Sequence, residues 1–157
     1  RCGFTDGSLE DPRREGGSGR RRVAYGVWEG MQWEADLERP PGGWDSYTPT
    51  ERLQRCVGAG MWGGACPPDW EIGDAEAYAI YRYLESVEST SGDPASERVL
   101  VCSDSQTTLD KLEEAWRATD TRKMRAQGGA GITEAVCRVR ARLGRVIIWY
   151  IAPRIGA

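Results

Sequence analysis

Residues 98–116 read RVLVCSDSQTTLDKLEEAW. The run Arg98–Asp104 is rich in β-formers and ends on an acid, whereas Leu109, Leu112 and Trp116 recur at helical spacing. The change of period across Asp104 predicts a strand that feeds directly into a helix, with Thr107 and Asp110 in a capping box. A strand followed by a helix is half of a right-handed crossover, the unit that joins parallel strands.

Working outward, Gln127–Gly131 has turn chemistry, and Ile132, Val136, Val139 and Leu143 line one face of a further helix. Its other face carries Arg138, Arg142 and Arg145, around to Arg140, as a solvent face. Gly144 ends that helix, and Val146–Ile151 reads as a continuous apolar strand, as in a sheet covered on both faces. Upstream, Asp74 is a candidate cap for a helix whose apolar face is Ala77, Ile80, Tyr81, Leu84 and Val87, and Ser91-Gly92-Asp93-Pro94 ends it. Earlier still, Arg22–Trp28 and Met31–Leu37 are strand-like, the second with strict period-2 alternation, and Glu29-Gly30 marks a hairpin between them. Cys2–Asp6 is a short extended piece closed by Asp6-Gly7, and Ser8–Arg22 reads as a loop. The order β-β-β-α-β-α-α-β predicts an α/β fold: a mixed five-stranded sheet, three antiparallel strands then two parallel ones, with flanking helices. Residues 1–157 form one domain with loop insertions at about 9–21 and 38–69. The second insertion contains Pro40-Pro41-Gly42-Gly43 and the glycines from Gly58 to Gly64, and such length suits an insertion or a functional lid.

Composition narrows the chemistry. There is no His among the 157 residues, which removes imidazole catalysis and His-metal sites. The net charge is -3, but five Arg stand against one Glu in residues 13–22, and three bases stand against twelve acids in residues 69–116. Binding to a polyanion would therefore depend on localised patches rather than bulk charge. The basic set is 19 Arg and two Lys, which suits phosphate recognition or reflects genome composition. No apolar run approaches the roughly 20 residues of a membrane helix, so no membrane partner is expected. The five Cys are scattered without a Cys-x-x-Cys pair, which argues against zinc and for a reducing, intracellular setting, nuclear or cytoplasmic. A pairing of Cys56 with Cys66 is the alternative in an oxidising one. The chain has no initiator Met and opens almost at once on an acidic motif, as a segment of a longer polypeptide does.

Three acids stand out. Asp6 closes the first strand, Asp104 closes the fourth, and Glu76 falls in the first turn of the first helix. If the two strands are parallel neighbours, both aspartates emerge at one sheet end, and a helix laid across that end adds Glu76. Three carboxylates in one place call for a cation. Mg²⁺, with Mn²⁺ as a substitute, is the natural choice, and two such ions suit phosphodiester cleavage without imidazole. The plainer readings are a turn for Asp6, a helix cap for Asp104 and a solvated first-turn acid for Glu76, with Glu71 and Asp74 competing for its place. The arginines at 13–22 and the tryptophans likewise read first as solvated loop and core, Trp44 and Trp62 least clearly so.

At this point the chain resembles type 1 ribonuclease H. Phe4-Thr5-Asp6-Gly7-Ser8 looks like the first-strand signature of that family, Ala75-Glu76-Ala77-Tyr78-Ala79-Ile80 like its first-helix motif, Val101-Cys102-Ser103-Asp104-Ser105-Gln106 like its fourth-strand motif, and Val146-Ile147-Ile148-Trp149-Tyr150 like its fifth strand. The Ser-Asp-Ser-Gln form is most similar to the domains of non-LTR retroelements. The resemblance implies a ribonuclease H-like fold and hydrolysis of the RNA strand of an RNA·DNA hybrid with two Mg²⁺ ions held by Asp6, Glu76 and Asp104. It further implies that Gly7 lets backbone approach the substrate, that Ser8, Ser105 and Gln106 contact the sugar-phosphate backbone, and that a reverse transcriptase is covalently attached. Such an enzyme reads groove shape and 2′-hydroxyls rather than base sequence.

The sequence departs from the family after the fifth strand. A Gly-His loop and a helix with a fourth acid are expected there, and Ala152-Pro153-Arg154-Ile155-Gly156-Ala157 stands instead. The segment is thus read as C-terminally truncated or degenerate. The alternatives to a hybrid nuclease are a catalytically inactive module of the same fold that binds nucleic acid or partners, and a nuclease or transposase acting on DNA.

Overall fold

The computed structural model describes residues 1–17, 19–30, 60–118 and 131–151, and the backbone of 32–33 and 56–57. Five strands form one sheet: β1 (Cys2–Glu10), β2 (Arg22–Gly30), β3 (Gly60–Cys66), β4 (Arg98–Ser103) and β5 (Arg145–Tyr150). Their order is β3-β2-β1-β4-β5. β1–β2 and β2–β3 are antiparallel, and β1–β4 and β4–β5 are parallel. The helices are α1 (Ile72–Thr90), α2 (Gln106–Ala118) and α3 (Ile132–Arg142). This is the mixed five-stranded α/β architecture expected from the sequence.

The core lies between the sheet and the helices. Ile80, Tyr83, Leu84 and Val87 of α1 recur at three- and four-residue intervals and are fully buried. They meet Val27, Val99, Val101 and Val146 from the sheet, Leu109 and Leu112 from α2, and Val136, Val139 and Leu143 from α3. A smaller cluster of Cys2, Phe4, Cys102 and Ile151 occupies the other sheet face.

Several expectations are corrected. β1 does not end at Asp6 but runs on to Glu10, paired with β2 along its whole length, Glu10 opposite Arg22. The Asp6-Gly7 pair, a frequent turn, is held extended by its pairing with Gly26 and Tyr25 of β2. The third sheet strand is Gly60–Cys66, inside the segment expected to be an insertion. Its glycines disguise it: a Cβ at Gly63 would lie 2.4 Å from the Tyr25 carbonyl oxygen, so the close approach to β2 demands glycine there. Of Met31–Leu37, only Gln32–Trp33 is described, paired with Cys56–Val57 in a separate ribbon. The rest of 34–55, with Trp44, lies outside the described residues, as do 119–130 and Ala152–Ala157.

β5 is an edge strand with Ile147 45% and Trp149 55% exposed, so its apolar run does not mark two covered faces. Arg140 is not a solvent-face residue. It is nearly buried, pairs with Glu113 at 2.9 Å, donates to the Val146 carbonyl and stacks on Trp116. α1 begins two residues before Asp74. The Asp74 carboxylate receives the Glu71 backbone N–H at 2.9 Å, so Asp74 closes the helix start from within. Ser105, rather than a Thr107–Asp110 box, starts α2: its hydroxyl receives the Thr108 N–H and its carbonyl the Leu109 N–H. Cys2, Cys66, Cys102 and Cys137 are buried and are not in disulfides. No helix among the described residues is long and apolar enough to cross a membrane.

Candidate metal centre

The parallel register pairs Thr5 with Ser103. Asp6 and Asp104 each follow that rung by one residue, so both aspartates stand at one end of the β1–β4 pair. β1 continues past this level, while β4 stops and turns into α2. The turn is held by Ser103, whose buried hydroxyl receives the Ser105 N–H at 3.2 Å, and by Ser105, whose hydroxyl donates to Thr108 at 2.8 Å. Ser103 therefore positions Asp104, a role the sequence reading overlooked. The available signal was a serine two residues before another at a helix start, where short hydroxyl side chains replace backbone partners.

Glu76 arrives from α1. A Cβ at Gly7 would fall 2.6 Å from the Glu76 backbone nitrogen and 2.9 Å from the Ala75 carbonyl carbon. The missing side chain lets the helix backbone lie directly on β1 and brings Glu76, in the second helical turn, beside Asp6. Gly7 itself is buried beneath the helix. One carboxylate oxygen from each of Asp6, Glu76 and Asp104 lies within 4.8 Å of the other two. The rivals for the place of Glu76 are engaged elsewhere, Glu71 with Arg21 at 2.9 Å and Asp74 in its cap.

Burial grades across the trio: Glu76 is 6% exposed, Asp6 half-buried and Asp104 exposed. Burial, then the charges of Asp6 and Asp104, push the Glu76 carboxyl up to about 8. Asp6 is also raised, first by burial and then by Asp104, against the opposing effect of hydrogen bonds with Glu76 and the Gly7 backbone. Glu76 Oε2 is buried without a hydrogen-bond partner among the described residues. A carboxylate with one orphaned oxygen, grouped with two more carboxylates, is a donor set suited to a hard divalent cation. Among the described residues, Asp6, Glu76 and Asp104 form the group with this geometry.

Of the other expected contact residues, Ser8 is exposed on β1, Ser105 is half-buried and engaged with Thr108, and Gln106 is exposed with its amide donated to Asp110 at 2.8 Å.

Against solved structures, the chain aligns with the foamy viral protease-reverse transcriptase in complex with dsDNA at a TM-score of 0.58 and 15% identity, covering 98% of this chain and 82% of that one. It aligns with RNase H1 from the halophilic archaeon Halobacterium salinarum NRC-1 at 0.51 and 15% identity, over 96% and 84%. It aligns with LC11-RNase H1 in complex with an RNA/DNA hybrid at 0.51 and 12% identity, over 96% and 84%. The fold is that of ribonuclease H. No protein-family model matches the sequence, and no curated protein matches it significantly. At these identities the likeness establishes the ribonuclease H-like fold.

Proposed function

We propose that the chain is a metal-dependent endonuclease domain that hydrolyses the RNA strand of RNA·DNA hybrids, with Asp6, Glu76 and Asp104 as the ligands of two Mg²⁺ ions. Mn²⁺ would substitute. The observation that carries this reading is the convergence of three carboxylates from distant stretches of chain, with a buried Glu76 oxygen left unpartnered. When bound, divalent ions at such a site supply an activated water and charge stabilisation at the departing oxygen. The protein's own contribution is placement. The Thr5–Ser103 rung fixes the spacing of the aspartates, Gly7 admits α1, and Ser103 with Ser105 locks the turn that carries Asp104. Ser8, Ser105 and Gln106 flank the trio and are the proposed contacts to the sugar-phosphate backbone. Gly7 supports the site from below.

Solved proteins of the same fold lend support: one is an RNase H1 held with an RNA/DNA hybrid, another a protease-reverse transcriptase. We place this domain in a larger retroelement-type polypeptide that includes a reverse transcriptase, in an intracellular setting. The test is incubation of the chain with a hybrid labelled on its RNA strand. Mg²⁺-dependent cleavage that Asp104→Asn abolishes supports the reading. Hybrid binding without cleavage would replace it with an inactive binding module, and cleavage of duplex DNA but not hybrid would replace it with a DNA nuclease.

A further inference from the structure

The acidic balance of the chain poses a problem for any polyanionic substrate. The net charge is -3, and the proposed centre is itself a group of three acids. Binding must draw on cations placed near that centre. The β1–β2 hairpin supplies them. β1 continues four residues past Asp6 to Glu10, roughly 13 Å at strand rise. The hairpin therefore projects from the sheet end that carries the carboxylates.

The hairpin is a built structure. Pro12–Glu15 forms a short 3₁₀ turn capped by the Asp11 carboxylate, and Gly16 closes it at φ +77°. At its base Leu9 and Val23 pack with Cys66 and Ala75, beside Trp70 and Tyr78, so the hairpin is tied to the residue next to Glu76. Of the nearby acids, Asp11 holds Arg13 at 3.1 Å and lies 3.9 Å from Arg14, and Glu71 holds Arg21, while Glu10, opposite Arg22 on the ladder, and Asp69 are exposed, so the arginines outnumber the acids left to offset them. Arg20 and Arg22 are exposed and make no ion pair among the described residues. Arg13, Arg20 and Arg21 line a groove of about 530 Å³ against Pro68 and Asp69. Arg13 is 64% exposed despite its pairing, which leaves guanidinium donors facing the groove.

Resting on the nuclease reading, we propose that this hairpin is a remote anchor for the nucleic-acid backbone. In this role Arg13, Arg20 and Arg22 hold phosphates of the same RNA·DNA hybrid several nucleotides from the bond at the carboxylate centre.

The test uses the chain carrying Asp104→Asn, so that the hybrid stays intact, with binding read by fluorescence anisotropy across a salt series. The double variant Arg20→Gln/Arg22→Gln should weaken binding about tenfold and reduce the slope of log affinity against log salt by about two, near 0.9 for each lost phosphate contact. Arg98→Gln, at the opposite sheet end, should leave both unchanged. With Asp104 intact, the double variant should raise KM and keep kcat. An unchanged salt slope overturns the anchor, and so does an equal loss with Arg98→Gln or a wild-type chain that binds no hybrid. Cleavage with an unaltered slope sinks the anchor and leaves the nuclease standing. A reduced slope with no cleavage by the wild-type chain does the reverse.

Discussion

Asp6 and Asp104 each stand one residue beyond the same parallel rung, Thr5 opposite Ser103. That relationship links strand pairing to the chemistry proposed here, because the ladder fixes the two backbones that carry these carboxylates side by side. Asp104→Asn removes one of the charges that raise Asp6 and Glu76. Mg²⁺-dependent hybrid cleavage should fall at least a hundredfold, about 3 kcal/mol in barrier. Thermal melting without metal should show no loss of stability, and a large loss would mean that Asp104 serves the fold instead.

The metal-free chain should lose stability as pH rises. Glu76 is held up to about 8 against an ordinary value of 4.5, so the folded state binds more protons than the unfolded state between those values. The stability this confers is full below about 4.5 and is lost as pH passes through about 8. Asp6, raised as well, adds in the same direction. Denaturant midpoints across that window should decline for the wild-type chain and flatten for Glu76→Gln. Added Mg²⁺ should restore more stability at the alkaline end than at the acid end. A midpoint that rises with pH in the metal-free chain would contradict this placement of Glu76.

Much of the architecture was legible in the sequence because it rests on local period. The change from strand to helix across Asp104, and the spacing Val136, Val139, Leu143, report burial directly. The meeting of Asp6 with Asp104 followed from parallel pairing alone. What stayed hidden depends on long-range contact. Gly60–Cys66 lacks the composition of a strand, since its glycines answer to the Tyr25 backbone in β2. β1 was cut short at Asp6-Gly7 because the pair favours turns, and only the partner strand holds it extended. Arg140 looked solvated because its partner Glu113 lies 27 residues away on another helix.

Gly7→Ala should disturb the fold and the site together. The added methyl would meet the backbone at Glu76 and Ala75, which cannot rotate away. Overpacking of this kind costs about 1–3 kcal/mol, and α1 must lift from β1. Urea unfolding should show that loss, and Mg²⁺ affinity should fall with it. Unchanged affinity in a destabilised variant would separate the position of α1 from the site.

Gly63→Val should destabilise in spite of the higher strand propensity of valine, because the Tyr25 carbonyl stands where its Cβ would be. A melting temperature at or above wild type would show that β3 can shift outward.

Arg140→Ala should cost about 1–2 kcal/mol, since it empties the space over Trp116, frees the Val146 carbonyl and removes the partner of a Glu113 that water still reaches. Arg140→Lys should recover only part, because an ammonium lacks the planar fork that serves Glu113 and the Val146 carbonyl at once. Calorimetric melting of the two variants checks both, and neither should alter Mg²⁺ binding at the distant carboxylates.

The most direct test of the shared-ion claim is an anomalous difference map from a crystal of the chain soaked in Mn²⁺. Density between the carboxylates of Asp6, Glu76 and Asp104 in the wild-type chain, lost in Asp104→Asn, is the expected result. A fully soaked wild-type crystal with no density between those three side chains would contradict the account.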